Sequence, residues 1–330
     1  MKVWDLHCDT LSELRHAQLS GAPKSFAHND LMIDLQRLKQ SGYGLQCFAC
    51  FVDLGAPEDS MHTALQEMDI FHTLLAQYPD DLVWVRTGED VKNLAKENRI
   101  GAMLTVEEGG TCHGDPAILR DFYRLGVRMM TLTWNHKNEL AEPNVGPDYN
   151  EDTWPVAPNT TGGLTDRGVE FVQEMERLHM LVDVAHLSDA GIRDVLQYSI
   201  RPFVASHSNA RACCPHVRNL PDDLLKAMGE KGCLIGLNFC PAFLDDSPER
   251  HNLKSRVTDM ARHAKYIMNL AGEDCLALGS DFDGIGGELE IAGAQDMPRL
   301  AEGLCRAGLT ETQVEKIFWN NAARFFAENL

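Results

Sequence analysis

The chain has 330 residues, 44% of them hydrophobic, enough for two average domains or for one large barrel with a full core. A net charge of −19 and a pI near 5.0 argue against nucleic acid or an anionic membrane surface as partner, because phosphates are bound by positive potential. No apolar run is long enough to span a bilayer, and Asp5 stands where a signal peptide would have its apolar region, so a cytoplasmic protein is expected. The ten cysteines lie mostly inside apolar segments, and Cys47-x-x-Cys50 has no second such pair near it, so reduced buried thiols are expected rather than disulfides or a structural zinc finger.

In chain order, Val3 to Leu6 reads as a strand that runs directly into His7, Cys8 and Asp9. Alternation along an extended segment puts His7 and Asp9 on one face, about 6 to 7 Å apart, within reach of one ion. Leu31 to Ser41 is a helix ended by Gly42, Gly44 to Val52 the second strand, and Ser60 to Gln77 a long helix. Leu82 to Val85 is a minor strand before a helix from Glu89 to Glu97. Ile100 to Val106 is the third principal strand, ending in Glu107, Glu108, Gly109 and Gly110, where a carboxylate beside flexible backbone is suited to bridge two ions. A solvated turn is the plain alternative.

Asp115 to Leu125 is a helix and Val127 to Thr133 the fourth strand, followed by Trp134, Asn135, His136 and a long Pro-containing loop over 135–164. A loop of that length is usually a lid or a wall of a binding cleft. Thr165 to Leu178 is a helix. Two short apolar runs then each end in a histidine: Leu181 to Ala185 before His186, and Pro202 to Ser206 before His207, with a helix over Asp189 to Gln197 between them and Ser188 as its N-cap. A polar loop carries Arg211, His216 and Arg218. Pro221 to Lys231 is a helix, Cys233 to Asn238 the seventh strand, Leu253 to Ala271 a helix, and Cys275 to Gly279 the eighth strand, which ends in Ser280, Asp281, Phe282, Asp283 and Gly284. Helices from Asp296 to Ala307 and Thr310 to Phe326 complete the chain.

Eight principal strands, each followed by helical sequence, predict one (β/α)8 TIM barrel over residues 1–330. A doubly wound open sheet is the competitor, but the Gly-rich turn it needs after the first strand is absent from His7 to Thr10. In a barrel every carboxyl strand end opens onto one mouth, so His7, Asp9, Glu108, His186, His207 and Asp281 converge. Three histidines and three carboxylates suit a pair of divalent ions, most simply zinc, since no cysteine enters the set.

These residues, in the runs Asp5-Leu-His-Cys-Asp-Thr, Val106-Glu-Glu-Gly-Gly, Leu181-Val-Asp-Val-Ala-His-Leu-Ser, Ala205-Ser-His-Ser-Asn-Ala, Arg218-Asn-Leu-Pro-Asp-Asp and Gly279-Ser-Asp-Phe-Asp-Gly, resemble the membrane (renal) dipeptidases, metallopeptidases of the amidohydrolase superfamily. The resemblance covers nearly the whole chain. It implies two zinc ions per subunit, with His7 and Asp9 on one, His186 and His207 on the other, and Glu108 bridging, chosen over Glu107 because the family's acid directly precedes the paired glycines. It also implies Asp281 as the catalytic proton carrier in preference to Asp283, Arg218 as the anchor for a substrate carboxylate, and a homodimer.

Independently of the family, two cations about 3.5 to 4 Å apart share a water, lower its pKa towards 7, and polarise an amide carbonyl. The expected function is therefore hydrolysis of dipeptides, including those with a C-terminal D-residue, by a metal-bridged hydroxide. An N-acyl amino acid or other small amide hydrolase with the same site, and a catalytically silent metal-binding homologue, are the alternatives. One departure from the family stands after the fourth strand, where better-known members have Thr-Leu-Thr-His. Here the run is Thr131-Leu-Thr-Trp134, and His136, two residues on, is the candidate substitute for substrate contact.

Overall fold

The computed structural model describes residues 1–146, 157–248 and 252–330. The middle of the expected loop over 135–164 therefore lies outside the described residues. Among the described residues eleven strands are formed: β1 (Val3–Asp5), β2 (Tyr43–Phe51), β3 (Leu82–Trp84), β4 (Ile100–Glu107), β5 (Val127–Thr131), β6 (Leu181–Asp183), β7 (Val204–Ala205), β8 (Leu234–Leu237), β9 (Lys254–Ser255), β10 (Leu276–Leu278) and β11 (Glu288–Leu289). Every pairing in the main sheet is parallel. The order runs β1, β2, β4, β5, β6, β7, β8, β10, and β10 pairs back to β1 through Asp5 and Leu278. The ring is closed, so the open-sheet alternative is excluded and the (β/α)8 barrel is the fold.

The minor strand β3 takes the edge of β4 at Ile100 to Ala102, below the stretch from Leu104 to Val106 that β5 pairs. It adds no stave to the ring. A separate two-stranded pairing joins β9 to β11.

Parallel strands covered on both faces read as continuous apolar runs, and β2, β4 and β5 are buried almost throughout. The two faces feed two cores. Trp4, Leu45, Cys47, Met103, Met129, Leu181, Val204, Leu234 and Ala277 pack together as the barrel interior, and Ala322, Phe325 and Phe326 of the C-terminal helix close its lower end, Phe326 stacking 5.0 Å from Trp4. Residues of opposite parity, such as Leu104, Val106 and Ile235, face the surrounding helices. Burying an aromatic ring of this kind contributes about 2 kcal/mol, so the floor is held by several such rings.

Gly236 and Gly279 line a close approach in the interior, where a Cβ on either would meet the Ser206 carbonyl oxygen at 1.9 and 1.8 Å. That contact draws the three strand ends beneath the site together. All ten cysteines are free thiols, as expected.

Element boundaries differ in places. The helix expected from Leu31 begins at Leu35, because the Asp34 carboxylate caps it by accepting from the Arg37 N–H at 2.7 Å. A helix over Thr10–Leu19, not expected, starts directly behind Asp9. The fourth strand stops at Thr131 rather than Thr133, where the Leu132 carbonyl turns out of the sheet to accept from Asn138 Nδ2. No helix among the described residues is long and apolar enough to cross a membrane.

Candidate active site

The strand ends converge as the barrel requires. His7 follows β1, and its Nε2 lies 3.2 Å from Glu107 Oε2, 3.5 Å from Asp9 Oδ2 and 3.8 Å from Asp281 Oδ1. The other oxygen of the same carboxylate, Glu107 Oε1, lies 2.9 Å from His186 Nε2 and 3.5 Å from His207 Nε2. One carboxylate thus presents an oxygen to His7 and Asp9 on one side and to His186 and His207 on the other.

The expectation that Glu108 occupies this place is not met. Strand β4 continues through Glu107, and Met103, which faces the interior, shares its parity with residue 107 and not with 108. Glu108 turns out of the ring with φ 106°, and its carboxylate accepts from the N–H groups of Gly110 at 2.7 Å and Trp134 at 2.8 Å and from Asn138 Nδ2. It fastens the Gly109–Cys112 turn to the loop after β5. Alternation along the strand was the signal that distinguishes the two acids.

The donor chemistry fits divalent cations. His186 Nδ1 donates to Asn135 Oδ1 at 2.9 Å, and His207 Nδ1 donates to Ser206 Oγ at 2.8 Å while that hydroxyl donates to Asp183. With both Nδ1 protons committed, the two Nε2 atoms, 2.9 Å apart, present lone pairs to each other and to Glu107. Such an arrangement is repulsive until a cation stands among them. Asp9 Oδ1 and His7 Nε2 are likewise buried without a hydrogen-bond partner among the described residues. Three overlapping ligand groups result: His7, Asp9 and Glu107; Glu107, His186 and His207; and His7, His207 and Asp281.

The electrostatics agree. Burial, with Arg218 adding to it, lowers His186 to about 4, and burial with His7 holds His207 well below its ordinary value, so both rings are the neutral ligand form. Burial pushes Asp9 up to about 7 against the pull of His7. Glu107 stays well below the usual carboxylate range despite its burial, chiefly because the charge of His7 beside it favours the ionised form.

His186 and Asp281 sit in the left-handed backbone region, with φ 70° and 64°, and so turn the chain back over the mouth at the ends of β6 and β10. Asp281 Oδ2 accepts from Asn238 Nδ2 at 3.0 Å, and burial raises its pKa. Asp283, its rival, is tied down: its two oxygens accept from Thr10 Oγ1 at 2.6 Å and the Met32 N–H at 2.7 Å.

Arg218 is 5% exposed and lines the same cavity, of about 390 Å³, with Nε and Nη2 lacking a hydrogen-bond partner among the described residues. The Phe243 ring lies 5.4 Å from its guanidinium. Arg211 is structural, gripping Asp189 with two bonds of 2.7 Å.

His136 does not line the cavity. Its Nε2 is 2.8 Å from Asp53 Oδ1, and the positions before it, Trp134 and Asn135, face the cavity instead. The expectation of a shifted histidine is corrected accordingly: the loop leaves the sheet after Thr131, so the two-residue alternation of a strand no longer applies there. Sequence reasoning also missed Asn135 and Asn238, which hold His186 and Asp281. It missed the buried Asp183–Ser206 and Asp5–Ser280 pairs as well, in which a strand carboxylate accepts from the serine N–H at 2.9 and 2.8 Å. The repeated serine directly before His207 and before Asp281 was the available sign.

Comparison with known proteins accords with this geometry. The sequence pattern described as "Membrane dipeptidase (Peptidase family M19)" matches residues 1–329. "Dipeptidase tcpJ" of Claviceps purpurea is 30% identical over 308 residues, 90% of this chain and 69% of that protein. An "Uncharacterized protein in pqqA 5'region" of Klebsiella pneumoniae is 32% identical over 268 residues, 81% of this chain and 96% of its own length. Among solved structures, a metallo peptidase from Rhodobacter sphaeroides, liganded with a phosphinate mimic of the dipeptide L-Ala-D-Ala, superposes with a TM-score of 0.88 at 25% identity, covering 100% of this chain and 99% of that one. The chain belongs to the membrane dipeptidase family, peptidase family M19, and is a metallodipeptidase.

Proposed function

We propose that the chain hydrolyses the peptide bond of dipeptides bearing a free C-terminal carboxylate, including those with a D-residue at that end, and that it does so with two zinc ions. His7 and Asp9 would hold one ion, His186 and His207 the other, with Glu107 shared between them. Bound there, the ions supply Lewis acidity, which makes water a nucleophile near neutral pH and polarises the scissile carbonyl. The observation that carries this reading is the Glu107 carboxylate with one oxygen 3.2 Å from His7 and the other 2.9 Å from His186.

The remaining work falls to this chain's own groups. Asp281, at the cavity wall and 3.8 Å from His7 Nε2, takes the proton of the attacking water on Oδ1 and returns it to the leaving amine, while Asn238 fixes its other oxygen. Arg218 receives the terminal carboxylate: its free Nε and Nη2 form a planar fork, matched to two carboxylate oxygens, and burial strengthens the pair. The likeness to a structure holding an L-Ala-D-Ala mimic supports the inclusion of dipeptides with a D-residue.

A panel of L-Ala-L-Xaa and L-Ala-D-Xaa dipeptides with their N-acetyl counterparts tests the reading. Cleavage of free dipeptides and not of the acetylated ones is expected. Cleavage of the acetylated series alone would assign an N-acyl amino acid hydrolase, and tight metal binding without turnover a silent homologue.

A further inference from the structure

Around the ring, the end of β2 stands across the mouth from the end of β7, with β4, β5 and β6 between them on one side and β1, β10 and β8 on the other. Arg218 follows β7, whereas Phe51 ends β2 and Asp53 lies just beyond it. All three line one cavity, together with Trp134. If the proposed dipeptidase reading holds, a dipeptide with its carboxylate on Arg218 and its scissile carbonyl over Glu107 directs its first residue towards Phe51, Asp53 and Trp134.

The chemistry of that wall is specific. Phe51 and Trp134 meet edge to face, ring centroids 4.9 Å apart at 73°. Asp53 is held in place through one oxygen, Oδ1, which accepts from the Gly55 N–H at 2.7 Å and contacts His136 Nε2 at 2.8 Å. Its Oδ2 has no hydrogen bond, and no lysine or arginine pairs with this side chain, among the described residues. The side chain is 42% exposed. On the same cavity Glu13 adds a second acid, whose ion-pair partner is His16 rather than a lysine or arginine.

A fixed carboxylate beside two aromatic rings recognises a cation by ion pairing and by attraction to the ring faces. With the scissile carbonyl at the metal groups, the substrate's α-ammonium, one carbon away, would stay at the centre, where Asp9 and Asp281 are the acids. A group that reaches the wall must be the end of a long side chain.

We infer that Phe51, Asp53 and Trp134 form the subsite for the first residue's side chain, and that it selects a basic one, of the lysine, ornithine or arginine class. His136 is a positioning residue that orients Asp53. This gives the loop after β5 a role in specificity: Trp134 supplies an aromatic wall, and His136 acts behind it through Asp53.

The test measures kcat/KM of the zinc-loaded enzyme on L-Lys-L-Ala, L-Ala-L-Ala, L-Glu-L-Ala and Nε-acetyl-L-Lys-L-Ala. The wild type should favour Lys-Ala over Ala-Ala and over the acetylated substrate by about tenfold each, with Glu-Ala slowest. In Asp53→Asn the ratio of Lys-Ala to Ala-Ala should fall about tenfold, and Asp53→Lys should reverse the order of Lys-Ala and Glu-Ala.

A merely structural role for Asp53 would lower all substrates together and leave the ratios unchanged, which overturns the inference. So does equal use of lysine and its acetylated form by the wild type, a comparison that needs no variant. If no dipeptide is cut, Ala-Ala included, it is the dipeptidase reading that has failed, and this inference fails with it.

Discussion

The Nε2 atoms of His186 and His207 face each other at 2.9 Å with both of their Nδ1 protons already committed, to Asn135 and to Ser206. Two lone pairs so placed, beside the Glu107 carboxylate, define a cation site by its own chemistry. Stripping divalent ions should therefore destabilise the fold and not only silence it. At zinc concentrations about a thousandfold above the dissociation constant, the loss is on the order of 4 kcal/mol. Chelation followed by thermal unfolding checks it: a clear drop in Tm, restored by zinc, is expected, whereas an unchanged Tm would contradict the site.

The adjacent acids should separate cleanly. Glu107→Gln removes the shared anion and should lower zinc affinity by at least about 100-fold, with loss of turnover. Glu108→Gln leaves the metal contacts intact and should lower affinity by less than about tenfold, its effect being a looser Gly109–Cys112 turn. Metal content after dialysis distinguishes the two variants.

Arg218→Lys keeps the charge but removes the planar fork. A charge-assisted bond contributes about 1.5 to 3 kcal/mol, so KM should rise by about 10- to 100-fold with kcat less affected. Steady-state kinetics on one dipeptide measures it, and an unchanged KM would remove Arg218 from the carboxylate's path.

Away from the site, His263 is fully buried, and its Nδ1 accepts from the Ala210 N–H at 3.1 Å, so the neutral ring is the folded form. Burial, with Arg262 adding to it, lowers its pKa from 6.5 to about 4. A depressed folded pKa gives stability that is complete above pH 6.5 and is lost as the pH falls through the window down to about 4. His263→Gln should flatten that part of the profile, by up to about 3 kcal/mol. Urea unfolding of zinc-loaded wild type and variant between pH 7 and 4 reads the difference, since protonation of the metal ligands is common to both.

Much of this was legible in the sequence because barrel strands are short apolar runs and their carboxyl ends share one mouth: His7, Asp9, His186, His207, Asp281 and Arg218 all line or face a single cavity. The choice between Glu107 and Glu108 was decidable from alternation with Met103, yet the paired glycines drew the reading to the wrong acid. His136 was misplaced for a different reason. Strand periodicity was extended past Thr131, where the backbone had already left the sheet. The partners that fix the site, Asn135, Asn238 and the Asp–Ser pairs, depend on which strands are neighbours, and so become visible only once the ring is closed.

As proposed, the chain is a two-zinc hydrolase in which Asp281 moves the proton. A zinc titration of metal-free protein and its Asp281→Asn variant, following bound metal and L-Ala-L-Ala cleavage together, examines both parts of that proposal at once. Activity should reach its plateau at two equivalents of zinc, and the variant should bind two equivalents while losing at least about 100-fold in kcat. Full activity at one equivalent, or an Asp281→Asn variant as active as the wild type, would contradict it.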